Sequence, residues 1–247
     1  MFDTSDARLS LRNRLLLSLP AREIDFLKSH LEPVKLSIGD IIFQAGDTIR
    51  HVYFPENGMI SLLSVTEQGQ AIEVGYTGYE GLVGITLLFE RNEMPYQALT
   101  QAPTEALRVE SKIITELFKQ RGDFHNITLR YFYVILRQIS QTCICNHFHK
   151  IEARLCRWLT VMCERSENKN LVLTQEFIAH ILGVQRTSIG MIAASLQSAG
   201  IIRYSRGKVE ILNFERLKSA ACECYEIVRE EQRRFISDKN FSAMSDD

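Results

Sequence analysis

The chain has 247 residues, of which 29 are basic and 30 acidic, so its formal net charge at pH 7 is −1. This length allows two domains, and 45% apolar with 24% charged residues is typical of a globular protein. No apolar run could span a bilayer and no secretory signal opens the chain, so we expect a cytoplasmic protein with no membrane partner. The balanced charge excludes blanket affinity for nucleic acid, although basic residues can still be concentrated locally.

The first part of the chain combines a helical lead-in with many short strands. Residues Ser10–Leu31 are predicted to be helical, with Pro20 at a helix start. From Val34 to about Val109, the runs IIFQ, HVYF, ISLLSV and AIEVG alternate with glycine-containing turns. Such frequent turns between short strands indicate a compact antiparallel β-roll, which we place at residues 10–122.

A long helix is predicted next, from Asp123 to about His149, because this stretch contains neither Gly nor Pro. Asp123 is expected to cap it. A helix of this length is expected to bury its apolar stripe against a second copy of the chain, so a charge at Ile135 or Ile139 should break the dimer. The alternative is packing onto the chain's own strands, and both can hold on different faces. We place this helix and its hinge, Phe148–Lys150, at residues 123–149. The stripe comprises Ile127, Tyr131, Val134, Ile135, Ile139 and Ile144.

Thiol and imidazole side chains gather near the end of this helix, at Cys143, Cys145, His147 and His149. The pairs Cys143/His147 and Cys145/His149 each share one helix face and offer ligands suited to zinc, copper(I) or iron. Residues two apart point roughly 200° apart around a helix, however, so all four converge only where the helix ends. We therefore favour packing roles and predict no metal site, with a metal or redox site as the alternative. Packing is favoured more strongly for Cys222 and Cys224, which have no histidine nearby in sequence.

The pattern of the last third of the chain predicts a helix-turn-helix followed by a wing. A helix at Ile151–Arg165 and a polar loop at Ser166–Asn170 precede LTQEFIAHILGVQRTSIGMIAASLQSAGII, which begins at Leu173. Thr174 is a good N-cap, and Gly183 tolerates the left-handed turn between two helices. The segment RYSRGKVEIL predicts two strands that turn at Arg206–Gly207. A closing helix at Phe214–Phe235 completes a domain at residues 150–236, before a frayed tail at 237–247.

The second helix of this motif, roughly Gln185–Ala199, has an apolar inner face of Ile189, Ile192, Ala193 and Leu196. Its opposite face carries short polar side chains and a guanidinium, which suit base edges in a major groove. This arrangement predicts sequence-specific DNA binding. The expected contact residues are Thr174, Gln175, Gln185, Arg186, Thr187, Ser188, Met191 and Arg206.

Other function classes have less support. The chain contains no P-loop, GxSxG, HExxH or paired-carboxylate motif, so we do not expect an enzyme. The alternative is a ligand- or redox-sensing module that acts through protein contacts and binds DNA weakly. The wing and Arg186 favour a transcription regulator over that alternative.

The phrases LSIGDIIFQAGDTIRHVYFPENGMISLL and IEARLCRWL, together with the helix-turn-helix, resemble the Crp/Fnr superfamily of bacterial transcription regulators. The resemblance extends from about residue 10 to 235. It implies an α+β fold: an N-terminal antiparallel β-roll sensor domain like those that bind cyclic nucleotides, a long central dimerisation helix and a C-terminal winged helix-turn-helix domain. It also implies a homodimer on a two-fold-related site in double-stranded DNA, with RNA polymerase and a small-molecule effector as possible further partners.

The resemblance places Arg186 where the family has its base-reading arginine, for which a guanine is the natural partner. Thr187 and Met191 stand where other members have a glutamate and a second arginine. We therefore expect a different DNA half-site, in which Thr187 and Met191 contact thymine methyl groups. The family geometry implies that an input at the roll or the central helix moves the recognition helices about the hinge.

The resemblance does not identify the effector. Ile85 and Tyr96–Gln97 stand where cyclic-nucleotide-binding members carry a glutamate and an arginine, so we do not expect cyclic AMP to bind. Members that hold an iron–sulfur cluster use cysteines near the N-terminus, whereas the first cysteine here is Cys143. Nothing marks a haem ligand, and the cofactor stays unassigned. The expected effector pocket, for an apolar ligand or filled by side chains, comprises Gly84, Ile85, Tyr96, Gln97, Ile139 and Ser140.

Overall fold

The computed structural model describes residues 11–237. Its α-helices are α1 Arg14–Leu17, α2 Ala21–Lys28, α3 Ser111–Lys119, α4 Asp123–Phe148, α5 Ile151–Ser166, α6 Gln175–Leu182, α7 Arg186–Ser198, α8 Phe214–Ala220 and α9 Cys224–Ser237. Its strands are β1 Glu32–Leu36, β2 Ile41–Phe43, β3 His51–Pro55, β4 Ile60–Val65, β5 Ala71–Thr77, β6 Gln97–Thr100, β7 Thr104–Glu110, β8 Asn170–Val172, β9 Ile202–Ser205 and β10 Lys208–Ile211. Within this range, no single helix is both long and apolar enough to cross a membrane.

The N-terminal strands form the predicted antiparallel roll. They make two sheets, one in the order β1-β7-β3 and the other in the order β2-β6-β4-β5. Alternate side chains along each strand point to the same face, so Val52 and Phe54 of β3 enter the core opposite Val109 and Leu107 of β7. A 3-10 helix at Ile85–Phe89 follows Gly84, whose φ of 102° is in the left-handed region that favours glycine.

Helix α4 lies directly on the roll. A Cβ on Gly81 would overlap the ring of Tyr131, and a Cβ on Gly75 would lie 2.7 Å from Gln138 Oε1. Gln138 Oε1 also accepts a hydrogen bond from Tyr76 N at 2.7 Å. Because Ile135 is 5% exposed and packs into the roll core, the expectation that it meets a second chain was wrong.

The remaining residues of the predicted stripe divide between the two faces of α4. Tyr131 and Val134 are buried on the roll, and Ile127 and Ile139 pack half-buried against its core. The seam at Ile139 stays a prediction, because this side chain is only half-buried. Ile144, by contrast, is exposed. Packing onto the chain's own strands, the alternative that the sequence left open, therefore holds for Tyr131, Val134 and Ile135.

The start of α4 differs from the expectation in its capping. Asp123 is the first residue of the helix, and Gly122 occupies the N-cap position without a side chain to accept a hydrogen bond. Glu23 of α2 takes that role, because its Oε2 accepts from Phe124 N at 2.7 Å. The cap thus comes from a distant helix, which local sequence spacing does not reveal.

The C-terminal domain contains one strand and one break that the sequence did not predict. Strand β8 begins at Asn170, the last residue of the predicted loop, and joins the wing in the order β8-β10-β9. The predicted closing helix is two helices, because Ala221 adopts an extended conformation (φ −70°, ψ 151°) after α8. Helix α9 then turns back onto α4, with the rings of Phe235 and Tyr131 5.7 Å apart. Of the predicted tail, only Ser237 lies within the described residues, where it ends α9.

A buried ion pair joins the roll to the C-terminal domain. The side chains of Arg165 on α5 and Glu80 after β5 form this pair at 8% and 2% exposure. Arg165 Nη2 also donates to Gln232 Oε1 at 2.7 Å, and the guanidinium lies 5.0 Å from the ring centre of Tyr79. Removing one member of a buried pair leaves the other charge uncompensated, which costs about 3–5 kcal/mol.

We therefore expect Glu80→Gln to lower the free energy of unfolding by about 3–5 kcal/mol in urea titrations, because it leaves the buried Arg165 charge without its carboxylate partner. Glu32→Gln is the matched control, because the Glu32–Arg108 pair is exposed at 3.0 Å and should contribute less than about 1 kcal/mol. Equal losses for the two variants would contradict a special role for the buried pair.

Candidate nucleic-acid interface

The helix-turn-helix has the predicted local geometry. Thr174 Oγ1 accepts from Phe177 N at 3.1 Å and caps α6, and Gly183 ends that helix at φ 62°. Buried Arg154 donates from Nη2 to Leu182 O at 2.6 Å, which satisfies a carbonyl at the C-terminal end of α6. Helices α6 and α7 meet at a bend of 111°, which lies in the range of DNA-binding helix-turn-helix motifs.

Helix α7 has one buried and one open face. Ile189, Ala193 and Leu196 are buried in the core of the C-terminal domain, and Ile192 packs half-buried against it. Among the predicted contact residues, Thr174, Gln185, Arg186, Thr187, Met191 and Arg206 are exposed, whereas Gln175 and Ser188 are half-buried. Met191 is 70% exposed on this open face.

The acidic side chain close to Arg186 on this face, Glu176, does not cover the guanidinium. Its Nε lies 4.0 Å from Glu176 Oε2, and the two side chains are 67% and 81% exposed, so solvent screens this pair strongly. On the wing, Arg203 is paired with Glu210 at 2.6 Å. The open basic side chains nearby are Arg206 and Lys208.

The wing is held against the start of α6. Arg206 and Gly207 both have positive φ, 47° and 74°, as a tight two-residue hairpin turn requires. Tyr204 of β9 donates from its hydroxyl to Leu173 O at 3.0 Å. The wing and the first helix of the motif therefore form one continuous surface with the N-terminal end of α7.

The predicted effector-pocket residues have mixed surroundings. Ile85 is buried in the roll core, and Tyr96 and Ile139 pack half-buried against it, while a Cβ on Gly84 would contact Ile49 and Val52. The Gln97 side chain donates to that of Gln44 at 2.8 Å. Ser140 is exposed on α4, and its hydroxyl donates to Leu136 O at 2.9 Å.

A polar contact that the sequence analysis missed lies between the roll and α5. Glu73 of β5 is 4% exposed and accepts hydrogen bonds from Ser61 Oγ and from Trp158 Nε1, the latter at 3.2 Å. Burial raises the pKa of Glu73, although the nearby Arg157 guanidinium opposes the rise. The available signal was a charged residue inside each of two apolar runs, AIEVG and LCRWL.

The end of α4 contains four side chains that we call the hinge cluster: Cys145, His149, Cys222 and Cys224. Cys145 Sγ lies 3.5 Å from Cys222 Sγ, and Cys224 Sγ lies 3.4 Å from His149 Nδ1. Cys222 and Cys224 have no histidine near them in sequence, but the fold brings His149 next to Cys224. The expectation of packing roles did not foresee this contact, which follows from the break in the chain before α9. The hydrogen bond from Cys222 holds the pKa of the Cys145 thiol below its ordinary value. Cys143 and His147 are exposed on another face of α4.

Two family models match the chain. Residues 33–121 match the cyclic nucleotide-binding domain, and residues 153–220 match the Crp-like helix-turn-helix domain. The chain belongs to the Crp/Fnr family of transcription regulators. The two matched segments lie on either side of α4.

Known proteins of this family resemble the chain over most of its length. The global nitrogen regulator of Synechococcus elongatus is 21% identical over 78% of this chain and 90% of its own length. The cAMP-activated global transcriptional regulator Vfr of Pseudomonas aeruginosa is 21% identical over 77% and 94%. A structure of a Crp/Fnr family regulator from Eubacterium rectale superposes with a TM-score of 0.67 at 17% identity, over 83% of this chain and 96% of that one.

The buried Glu73 should make stability depend on pH. Because its pKa is raised on folding, the proton stabilises the folded chain below the ordinary value of 4.5, and this contribution is lost as pH rises through the folded-state pKa. Urea titrations at about pH 5 and about pH 8 should therefore show Glu73→Gln gaining stability relative to wild type at the higher pH. Glu67→Gln, which changes an exposed glutamate, is the control. A difference between Glu73→Gln and wild type that does not vary with pH would contradict the assignment.

Proposed function

We propose that the chain acts as a homodimer that binds a two-fold-related site in double-stranded DNA in the cytoplasm and regulates transcription there. The observation that carries this proposal is the open N-terminal face of α7, where Arg186, Thr187 and Met191 are exposed beside the wing. A helix can present such residues to a major groove, and a two-fold dimer would place two of them about one DNA turn apart, roughly 34 Å.

Each exposed side chain has a role in this proposal. Arg186 forms a bidentate contact with guanine, and Thr187 and Met191 pack against thymine methyl groups. Gln185 and Ser188 reach bases or phosphates. Thr174 accepts a hydrogen bond from its own helix, which leaves its hydroxyl proton free for a phosphate oxygen. Gln175 and Arg206 complete the phosphate contacts that fix the position of α7.

The dimer seam is proposed on the side of α4 that faces away from the roll. Exposed residues recur there at alternating intervals of three and four, the spacing of paired helices. We call this set the exposed row: Asn126, Leu129, Tyr133, Leu136, Ser140, Cys143 and His147. Leu129, Tyr133 and Leu136 are 42%, 53% and 49% exposed, so their apolar surface is available to a second copy.

The input is proposed to act at the roll and to reach the DNA-binding domain through α4 and the hinge. The packing of α4 on Gly75 and Gly81 couples any displacement of β5 to this helix. Ile85 is a buried apolar residue where a ribose-binding glutamate would be needed, and Gln97 engages Gln44. These features favour an effector other than cyclic AMP, and RNA polymerase remains a candidate partner.

Arg186→Ala should weaken binding to an operator selected from random DNA by about 1–3 kcal/mol, roughly 5-fold to 150-fold, because one base contact is lost. Fluorescence anisotropy with the selected duplex and with a scrambled duplex measures both affinities. Arg233→Ala, which removes an exposed arginine from α9, should leave both unchanged. Equal weakening of selected and scrambled DNA by Arg186→Ala would show a phosphate contact instead of base reading.

Leu136→Glu should weaken dimerisation, since it buries an unpaired carboxylate at the seam at a cost of about 3–5 kcal/mol. Light scattering over a concentration series measures the change. Leu17→Glu is the matched control, because Leu17 on α1 is also 49% exposed but lies off the exposed row. A Leu136→Glu protein with an unchanged dimer dissociation constant would place the seam elsewhere.

A further inference from the structure

The hinge cluster joins two parts of the chain that are far apart in sequence. Cys145 and His149 lie at the end of α4, where the chain passes into the DNA-binding domain. Cys222 and Cys224 lie at the start of α9. The described residues around the cluster include no disulfide, and three of its members are buried while His149 is half-buried.

The four ligand atoms have the spacing of a mononuclear metal site. They all lie within 4.8 Å of one another, and the two closest pairs are 3.5 Å and 3.4 Å apart. In a tetrahedral zinc site with Zn–S bonds of about 2.3 Å, two ligand sulfurs lie roughly 3.8 Å apart. Small rotations of the side chains would therefore suffice to surround one ion.

Neighbouring residues complete the surroundings that such a site requires. His149 directs Nδ1 toward Cys224, and its other nitrogen, Nε2, lies 3.8 Å from Glu223 Oε1. A shift of less than about 1 Å would bring this carboxylate within hydrogen-bond distance, as the carboxylate–histidine–zinc arrangement requires. Gln141 Nε2 donates to Cys224 Sγ at 3.2 Å. Buried Arg157 lies close enough to Cys145 and Cys222 for its positive charge to act on both thiols.

The donor set and its compactness select among possible occupants. Three thiolates and one imidazole form a Cys₃His set, which is a common structural zinc site. An iron–sulfur cluster is usually held by four cysteines that surround several metal atoms, whereas this cluster offers three cysteines already close together.

We propose that the hinge cluster binds one Zn²⁺ ion per chain through Cys145, His149, Cys222 and Cys224. Binding displaces the three thiol protons to solvent, and the ion, three thiolates and neutral imidazole together carry one negative charge, which Arg157 offsets. The ion fixes α9 to the end of α4 and so determines how the hinge is held. This proposal does not depend on how α7 contacts DNA.

The first experiment measures metal content and uses Co²⁺ as a spectroscopic probe. Full-length protein purified from zinc-supplied cells without chelator should contain about one zinc per chain by elemental analysis. After the metal is removed, titration with Co²⁺ under anaerobic conditions should give a saturable complex. Its visible spectrum should have the intense bands of tetrahedral cobalt and a sulfur-to-cobalt charge-transfer band.

Variants assign the ligands. Cys145→Ser and His149→Ala should each lower zinc affinity at least about 10-fold, and Cys145→Ser should also weaken the charge-transfer band. Cys143→Ser is the matched control, because it changes an exposed cysteine on the same helix and should retain full zinc and cobalt binding. Circular dichroism checks that each variant is folded, and the half-buried His149 provides a second test if Cys145→Ser fails to fold.

Three results would overturn the proposal. One is wild-type protein that contains no zinc and gives no tetrahedral cobalt spectrum. Another is equal loss of metal in Cys143→Ser and Cys145→Ser. The third is a Cys145–Cys222 disulfide, detected as an intact mass lower by two hydrogens in protein isolated under anaerobic conditions, which would make the cluster a redox pair.

Discussion

The close packing of α4 on β5 is the constraint on which the other contacts depend. Tyr131 occupies the space beside Gly81, just after β5, so a side chain at this glycine would displace the ring and the helix that carries it. Gln138 lies against Gly75 of β5 and accepts from Tyr76 N. This packing fixes which face of α4 meets the roll. It consequently leaves the opposite face, with Leu136, open, and it sets the position from which the DNA-binding domain departs.

Sequence patterns identified the elements whose signals are local. Thr174 and Gly183 are adjacent to the helix that they bound, and alternating strands with glycine turns define the roll within one stretch of chain. Capping of α4 by Glu23 could not be found in this way, because the acceptor is on another helix. The prediction of which face of α4 meets a second chain was wrong at Ile135 for a similar reason. Ile135 and Leu136 are both apolar, and only the packing of the roll determines which of them is covered.

The hinge cluster also depends on contacts between residues that are far apart in sequence. The spacing of Cys145 and His149 was visible in the sequence, but their partners are Cys222 and Cys224. The break at Ala221 is needed to bring them together. A continuous helix in place of α8 and α9 would separate these side chains. A departure from regular helix, which composition alone did not mark, therefore creates the only cluster of potential metal ligands within residues 11–237.

Two kinds of contact join the roll to α4 and α5, and they differ in how they could respond to an input. Apolar packing of α4 on the roll is broad and costly to break. The Glu73–Trp158 and Glu80–Arg165 contacts are buried and polar, so they are stable only while both partners stay in place. A movement of β5 by a bound effector would therefore be felt first at Glu73 and Glu80. Since Glu73 contacts Trp158 and Glu80 contacts Arg165, both on α5, the roll is connected to the C-terminal domain directly as well as through α4.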